Sequence, residues 1–332
     1  MTAERWTPAD LPDLQGSRAV VTGANSGLGF HTALELARHG AHVILATRDP
    51  ERGDDALGQV RVQAPGASVE LRLLDLADLA SIRDFAAGVA GGGGRIDLLV
   101  NNAGVMAVPH RRTADGFELQ LGTNHLGHFA LTGLLLPALL RGSVLGGPAR
   151  VVTVSSMLHR MGRLHRDDLM GERRYSPYRA YGQSKLANLL FTFELQRRAQ
   201  AAGASLAALA SHPGYAATNL QAVGPQMAGS SLQARLSELG NRLFAQSAAQ
   251  GAWPSLRAAG DPAAAGGQFY GPGGFAEQRG NPRLVSPAKH ATNADDAAWL
   301  WDRSVQLTGV DYRRLSTRST ETNNPVTESE EN

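Results

Sequence analysis

Arg18-Ala19-Val20-Val21-Thr22-Gly23-Ala24-Asn25-Ser26-Gly27-Leu28-Gly29 is the stretch on which the fold turns. Arg18–Thr22 is a short apolar run, which reads as a buried strand. Leu28–His39 follows with helical spacing and is closed by Gly40, a residue suited to a helix C-terminus. Between strand and helix lie Gly23, Asn25, Ser26, Gly27, Leu28 and Gly29 in a G-x-x-x-G-x-G spacing. Glycines let the backbone turn tightly and approach a pyrophosphate closely. A helix N-terminus offers unpaired N–H groups and the positive end of its dipole to such an anion. The stretch therefore predicts a nucleotide site at the first strand–helix junction.

Outward from it the same alternation repeats. Strands are expected at Ala41–Ala46, Val69–Leu74, Ile96–Val100, Arg150–Val154 and Ser205–Ala210. Helices are expected at Pro50–Val62, Leu79–Val89, Gly116–Leu140 and Tyr178–Ala201. Strands apolar throughout and separated by helices argue for a parallel sheet covered on both faces. The expected fold class is α/β, a single doubly wound Rossmann-type parallel sheet. Beyond Ser211 the pattern loosens. A late strand at Gly267–Tyr270 and a packing helix at Asp295–Leu307 are expected. One domain is read over residues 1–315, with a disordered tail at 316–332.

The end of the second strand selects the nucleotide. A carboxylate there suits the ribose hydroxyls of NAD. The chain reads Ala46-Thr47-Arg48, and arginine suits a 2′-phosphate, so NADP is favoured over NAD. Asp49 comes one residue later, where the strand has turned away.

Composition sets limits on chemistry. The 332 residues include no cysteine, which excludes disulfides, thiolate nucleophiles and cysteine-bound metal. A formal charge of +2 and scattered arginines give no basic stripe for nucleic acid. His125 and His128 lie three apart with no third ligand near, so core packing is expected rather than metal. His159, His165, Asp167 and Asp168 read as a solvated loop in preference to the border of a substrate cleft. The first fifteen residues lack an apolar core, and Phe129–Leu140 is too short to span a bilayer. A cytoplasmic protein without a membrane anchor is the expectation.

Only two of the 32 basic residues are lysine, Lys185 and Lys289. Lysine at Lys185 therefore points to a need that arginine does not meet. Tyr181 lies four residues earlier, on the same helical face. An ammonium beside a phenol is expected to lower the phenol's pKa from about 10. That makes Tyr181 a candidate general acid or base.

Thr22–Gly29, Asp75-Leu76, Asn101-Asn102-Ala103-Gly104, Asn124, Val151–Ser156, Tyr181/Lys185 and Pro213-Gly214 together resemble the short-chain dehydrogenase/reductase family over about residues 15–310. The wording Asn124-His125-Leu126-Gly127-His128-Phe129 and the gap from Ser156 to Tyr181 look most like its retinol dehydrogenase branch. The resemblance implies Tyr181 as general acid or base and Lys185 on the nicotinamide ribose. It implies Ser156 on the substrate oxygen and Asn124 helping to hold a water that relays protons to Lys185. Asp75 and Leu76 would border the adenine, and Asn102, Ala103 and Gly104 would line the wall near the ribose. Pro213, Gly214 and Thr218 would flank the nicotinamide. The implied reaction interconverts a carbonyl and an alcohol on an organic small molecule. A homo-oligomer is left open, because related enzymes use the Phe129–Leu140 helix for subunit contacts.

Two other readings remain at this point. One is an NADP-binding regulatory protein without catalysis. The other is a nucleotide-sugar epimerase or dehydratase, whose usual T-G-x-x-G-x-x-G spacing differs from that of Gly23, Gly27 and Gly29. Substrate choice is assigned to Val105–Arg112, Met157–Arg179 and Ala217–Gln246. Val105, Met106, Met157, Leu158 and Met161 hint at an apolar cleft.

Overall fold

A computed structural model describes residues 5–215 and 246–315. Thr218, most of Ala217–Gln246 and the expected tail lie outside the described residues. Among the described residues nine strands form one sheet in the order β3-β2-β1-β4-β6-β7-β8-β9, with β5 paired on β6. They are β1 Arg18–Thr22, β2 His42–Thr47, β3 Val69–Leu73, β4 Leu98–Asn101, β5 Ser143–Val144, β6 Gly147–Val154, β7 Leu206–Ser211, β8 Phe269–Pro272 and β9 Pro282–Leu284. The pairs from β3 through β8 are parallel. The sheet departs from the all-parallel expectation at β9, antiparallel to β8, and at the β5–β6 hairpin.

The sheet is α/β and doubly wound. The chain leaves β1 for β2 on one side, then returns to place β4 on the other. That reversal opens a crevice at the carboxyl ends of β1 and β4, where such sheets bind ligands. One face carries helix α1 Gly27–Arg38, α2 Pro50–Gln63 and α7 Ala248–Gly260. The other carries α3 Leu79–Ala90, α5 Gly127–Leu139, α6 Pro177–Ala201 and α8 Ala294–Thr308.

The helix expected over Gly116–Leu140 starts later and is not uniform. It begins as α4 Leu119–Leu121, passes through a π turn at Gly122–Leu126 and continues as α5. Its start is fixed by Glu118, whose carboxylate accepts from Gln120 N and Leu121 N. The π turn puts Asn124 at a break in the regular ladder, where irregular helical turns often serve function.

The apolar Phe129–Leu140 stretch is core. α8 and the chain after it cover α5 and α6, with Phe129, Phe191, Trp301 and Tyr312 in mutual edge, tilted or stacked contact. Among the described residues no helix is long and apolar enough to cross a membrane.

Candidate active site

The first β–α turn is shaped by two left-handed residues, Gly23 (φ 65°) and Gly27 (φ 57°). A side chain at Gly23 would also press within 3.0 Å of Ala103. At Gly29 a Cβ would fall 2.4 Å from the Gly23 carbonyl oxygen and 2.5 Å from Asn102 Nδ2. Gly29 thus lets α1 start hard against the ends of β1 and β4. Ser26 is the N-cap of α1, yet its side chain makes no capping hydrogen bond. The first N–H groups of α1 are left facing the crevice with no cap, which suits a phosphate.

At the end of β2, Arg48 is exposed and forms no hydrogen bond or ion pair among the described residues. Asp49 is committed elsewhere: its carboxylate accepts from Arg52 N at 3.1 Å and caps α2. At the end of β3, Asp75 folds back to accept from Ala77 N, while buried Leu76 packs under Gly127. Asn102 is tied to β1 by two bonds, N to Thr22 Oγ1 and Nδ2 to the Thr22 carbonyl. Gly104 sits where a Cβ would be 2.9 Å from Asn124 Oδ1 and 3.6 Å from Lys185 Nζ.

The second half of the site is built by β6 and α6. β6 ends at Val154; Ser155 turns inward and donates to the Lys185 carbonyl, which leaves Ser156 to face the cleft. Ser156 Oγ accepts from Leu158 N and is hydrogen-bonded to Tyr181. α6 starts with Pro177 at its first turn, a position where the missing N–H costs nothing. One turn on, Tyr181 and Lys185 are 4% and 3% exposed. Lys185 Nζ donates to the Val154 carbonyl at 3.0 Å and lies 5.7 Å from the centre of the Tyr181 ring.

The expected lowering of the tyrosine pKa is not what the geometry gives. Burial pushes Tyr181 up to about 12, against the opposing effect of the Ser156 hydrogen bond. Burial likewise brings Lys185 down to about 8. Desolvation is the largest cause for both groups, and Nζ is directed at the Val154 carbonyl.

Asn124 spends its side chain on protein. Oδ1 accepts from Val105 N, and Nδ2 donates to the Val105 carbonyl and to Ser184 Oγ. It fastens the Val105 loop to α6 one residue before Lys185. At the far wall, Gly214 is left-handed (φ 64°), and a Cβ there would be 2.4 Å from the Gln278 carbonyl. Pro213 accepts from Gln246 Nε2 through its carbonyl.

Some expectations need correction. His159 is not in a solvated loop: it is fully buried, donating from Nδ1 to the Ser156 carbonyl and accepting from Ala288 N at Nε2. Asp167 is exposed, and Asp168 accepts the backbone N–H groups of Glu172, Arg173 and Arg174 in that loop. Met161 is 74% exposed. His125 and His128 are buried as expected, held at about 3 and about 4 chiefly by desolvation.

One feature went unread in the sequence. Glu277 accepts from His212 Nε2 at 3.1 Å and from Arg160, which joins the Pro213-Gly214 wall to the turn after Ser156. The His212 bond first, and the Arg160 bonds with it, hold the Glu277 carboxyl down at about 2 against the opposing effect of burial. His212 stands immediately before Pro213, but nothing local announces a partner 65 residues away.

A phosphate-type turn at a sheet reversal, with Ser156 and the buried Tyr181–Lys185 pair opposite, defines a dinucleotide-binding oxidoreductase class. The sequence profile "short chain dehydrogenase" matches residues 17–228. The chain belongs to the short-chain dehydrogenase/reductase family and sides with its retinol dehydrogenase-like branch. Retinol dehydrogenase 13 of Homo sapiens is 49% identical over 208 residues, 62% of this chain and 61% of that protein. Retinol dehydrogenase 12 of Homo sapiens is 42% identical over 297 residues, 90% of this chain and 88% of that protein. The crystal structure of an uncharacterized protein from Mycobacterium Paratuberculosis is 48% identical, with a TM-score of 0.76 over 93% of this chain and 99% of that one. The family places the protein among oxidoreductases that act on alcohols and carbonyls with NAD or NADP.

Proposed function

We propose that the protein is an NADP(H)-dependent oxidoreductase that interconverts a carbonyl and an alcohol on an apolar small molecule. The observation that carries this reading is the set of half-buried Ser156 with buried Tyr181 and Lys185 beside the β1–α1 turn. Gly23, Asn25, Ser26, Gly27, Leu28 and Gly29 would hold the pyrophosphate, with Asp75 and Leu76 at the adenine and Asn102, Ala103 and Gly104 along the ribose. Pro213 and Gly214 would flank the nicotinamide, and Lys185 would reach its ribose. Once bound, that group supplies or receives the hydride.

The chain's own residues handle the oxygen. Hydride arriving at a carbonyl carbon leaves charge on the oxygen. Ser156 and Tyr181 present two preorganised hydroxyl donors to it in a largely dehydrated site. A phenol held near 12 stays protonated at neutral pH, so Tyr181 is ready to donate its proton in reduction. In oxidation the same oxygen takes the proton back. Asn124 holds the Val105 loop and α6 in register, and so sets the distance between the substrate wall and Lys185.

NADP is favoured because Arg48 is exposed and uncommitted while Asp49 is used as a helix cap. An apolar substrate is supported by the relatives named for retinol, and by half-buried Val105, Met106, Met157 and Leu158. The test is Lys185→Arg, which keeps a charge but loses the compact ammonium. Turnover of NADPH with an apolar aldehyde should fall about 100-fold or more. Near-normal turnover would remove Lys185 from the machinery.

A further inference from the structure

His128 is buried in α5 and uses both ring nitrogens. Nδ1 lies 3.0 Å from the carbonyl oxygen of Asn124, one turn back in its own helix. A carbonyl only accepts, so Nδ1 carries the ring proton. Nε2 lies 2.9 Å from Thr22 Oγ1. Burial and the nearby Lys185 charge keep the ring neutral, so Nε2 is a bare acceptor and Thr22 donates to it.

The Thr22 hydroxyl is then fully used. Its oxygen accepts from Asn102 N at 2.9 Å and from Ala103 N at 3.0 Å. Its proton goes to His128 in preference to the Val100 carbonyl at 3.3 Å. On the other side, Asn124 is bound through its side chain to Val105 and Ser184. The two nitrogens of one rigid ring therefore address two halves of the site. Nε2 reaches the ends of β1 and β4, where the dinucleotide is read to lie. Nδ1 reaches the π turn that braces Lys185.

We infer that His128 is a positioning residue that sets the cofactor-holding strand ends and the catalytic π turn at a fixed separation, each half through its own ring nitrogen. The inference rests on the proposed function above. No other neutral side chain offers a donor and an acceptor at this fixed spacing.

The test uses two substitutions that each keep one handle. In His128→Asn the amide nitrogen can stand near the place of Nδ1 and hold the Asn124 carbonyl, but Thr22 loses its acceptor. In His128→Gln the amide oxygen can reach the place of Nε2 and hold Thr22, but the carbonyl loses its donor. NADPH dissociation constants and single-turnover hydride rates at saturating NADPH are measured for both, with an apolar aldehyde as acceptor. His128→Asn should bind NADPH about tenfold more weakly with its hydride rate within about twofold of wild type. His128→Gln should show the reverse: affinity within about twofold and a hydride rate about tenfold slower. Equal effects of the two variants on both quantities, or none on either, would overturn the inference. Where a variant does not fold, nitrogen NMR of the wild-type histidines decides. A neutral His128 with its proton on Nδ1 supports the assignment, and a proton on Nε2 sinks it. A wild-type protein that neither binds nor oxidises NADPH would instead fault the proposed function.

Discussion

At the scale of residues, the preference for NADP comes down to a contest between neighbours. Arg48 projects from the end of β2 with no partner among the described residues, and Asp49 is spent on α2. Arg48→Ala should weaken NADPH binding about tenfold or more and change NADH binding less than about twofold. Titration of both cofactors by fluorescence checks this, and equal losses would remove the 2′-phosphate assignment. Lysine bias made Lys185 legible, and i,i+4 spacing made its pairing with Tyr181 legible. The pKa of Tyr181 was not legible, because desolvation depends on everything packed around the ring.

Burial of Lys185 also has a consequence for stability. Its folded pKa of about 8 lies below the value near 10.5 of an unfolded lysine. Between those pH values the unfolded chain binds more protons, so stability rises with pH. Below pH 8 both states are charged and the full burial cost is felt. Free enzyme taken from pH 7.5 to 9.5 should gain about 1–2 kcal/mol from this group. Urea midpoints of wild type and Lys185→Met read it: the variant should lack that gain. An identical pH response in both would show that Lys185 is not desolvated as described.

At the scale of elements, periodicity served best where it was strong. β1 was read to its end residues, and α1, α2, α3 and α6 within a residue or two at each end. The helix before β5 was read as one rod because sequence spacing does not distinguish an α ladder from one with a π turn. α7 was missed: its AAQGAWPSLRAAG has few large apolar residues and contains Pro254. It forms because small residues let it lie close to α1, with Ala252, Leu256 and Ala259 fully buried. Ala252→Leu should therefore cost about 1–3 kcal/mol by overpacking. Denaturant unfolding measures this, and a neutral outcome would mean that the α1–α7 contact is loose.

At the scale of the whole molecule, the sheet carries the site. Four strand ends, β1, β4, β6 and β7, meet at one edge and deliver Gly23, Asn102, Ser156 and Pro213 to a common crevice. The alternation of strands and helices announced that edge, and the proposed site residues Gly23, Asn102, Ser156 and Pro213 follow closely on the strands it predicts. The bonds that lock the edge were not announced. His128 to Thr22 spans 106 residues and His212 to Glu277 spans 65, and each pairs side chains with no local signature. α8 and Tyr312 cover α5 and α6, so the apolar Phe129–Leu139 segment is used inside the chain.

The most direct test of the central claim is NADPH oxidation by wild type and Tyr181→Phe against a panel of apolar aldehydes and ketones, retinal among them. The account predicts turnover by wild type and a loss of about 100- to 10,000-fold in the variant, with NADPH affinity nearly unchanged. Turnover that survives without the phenol hydroxyl would contradict it.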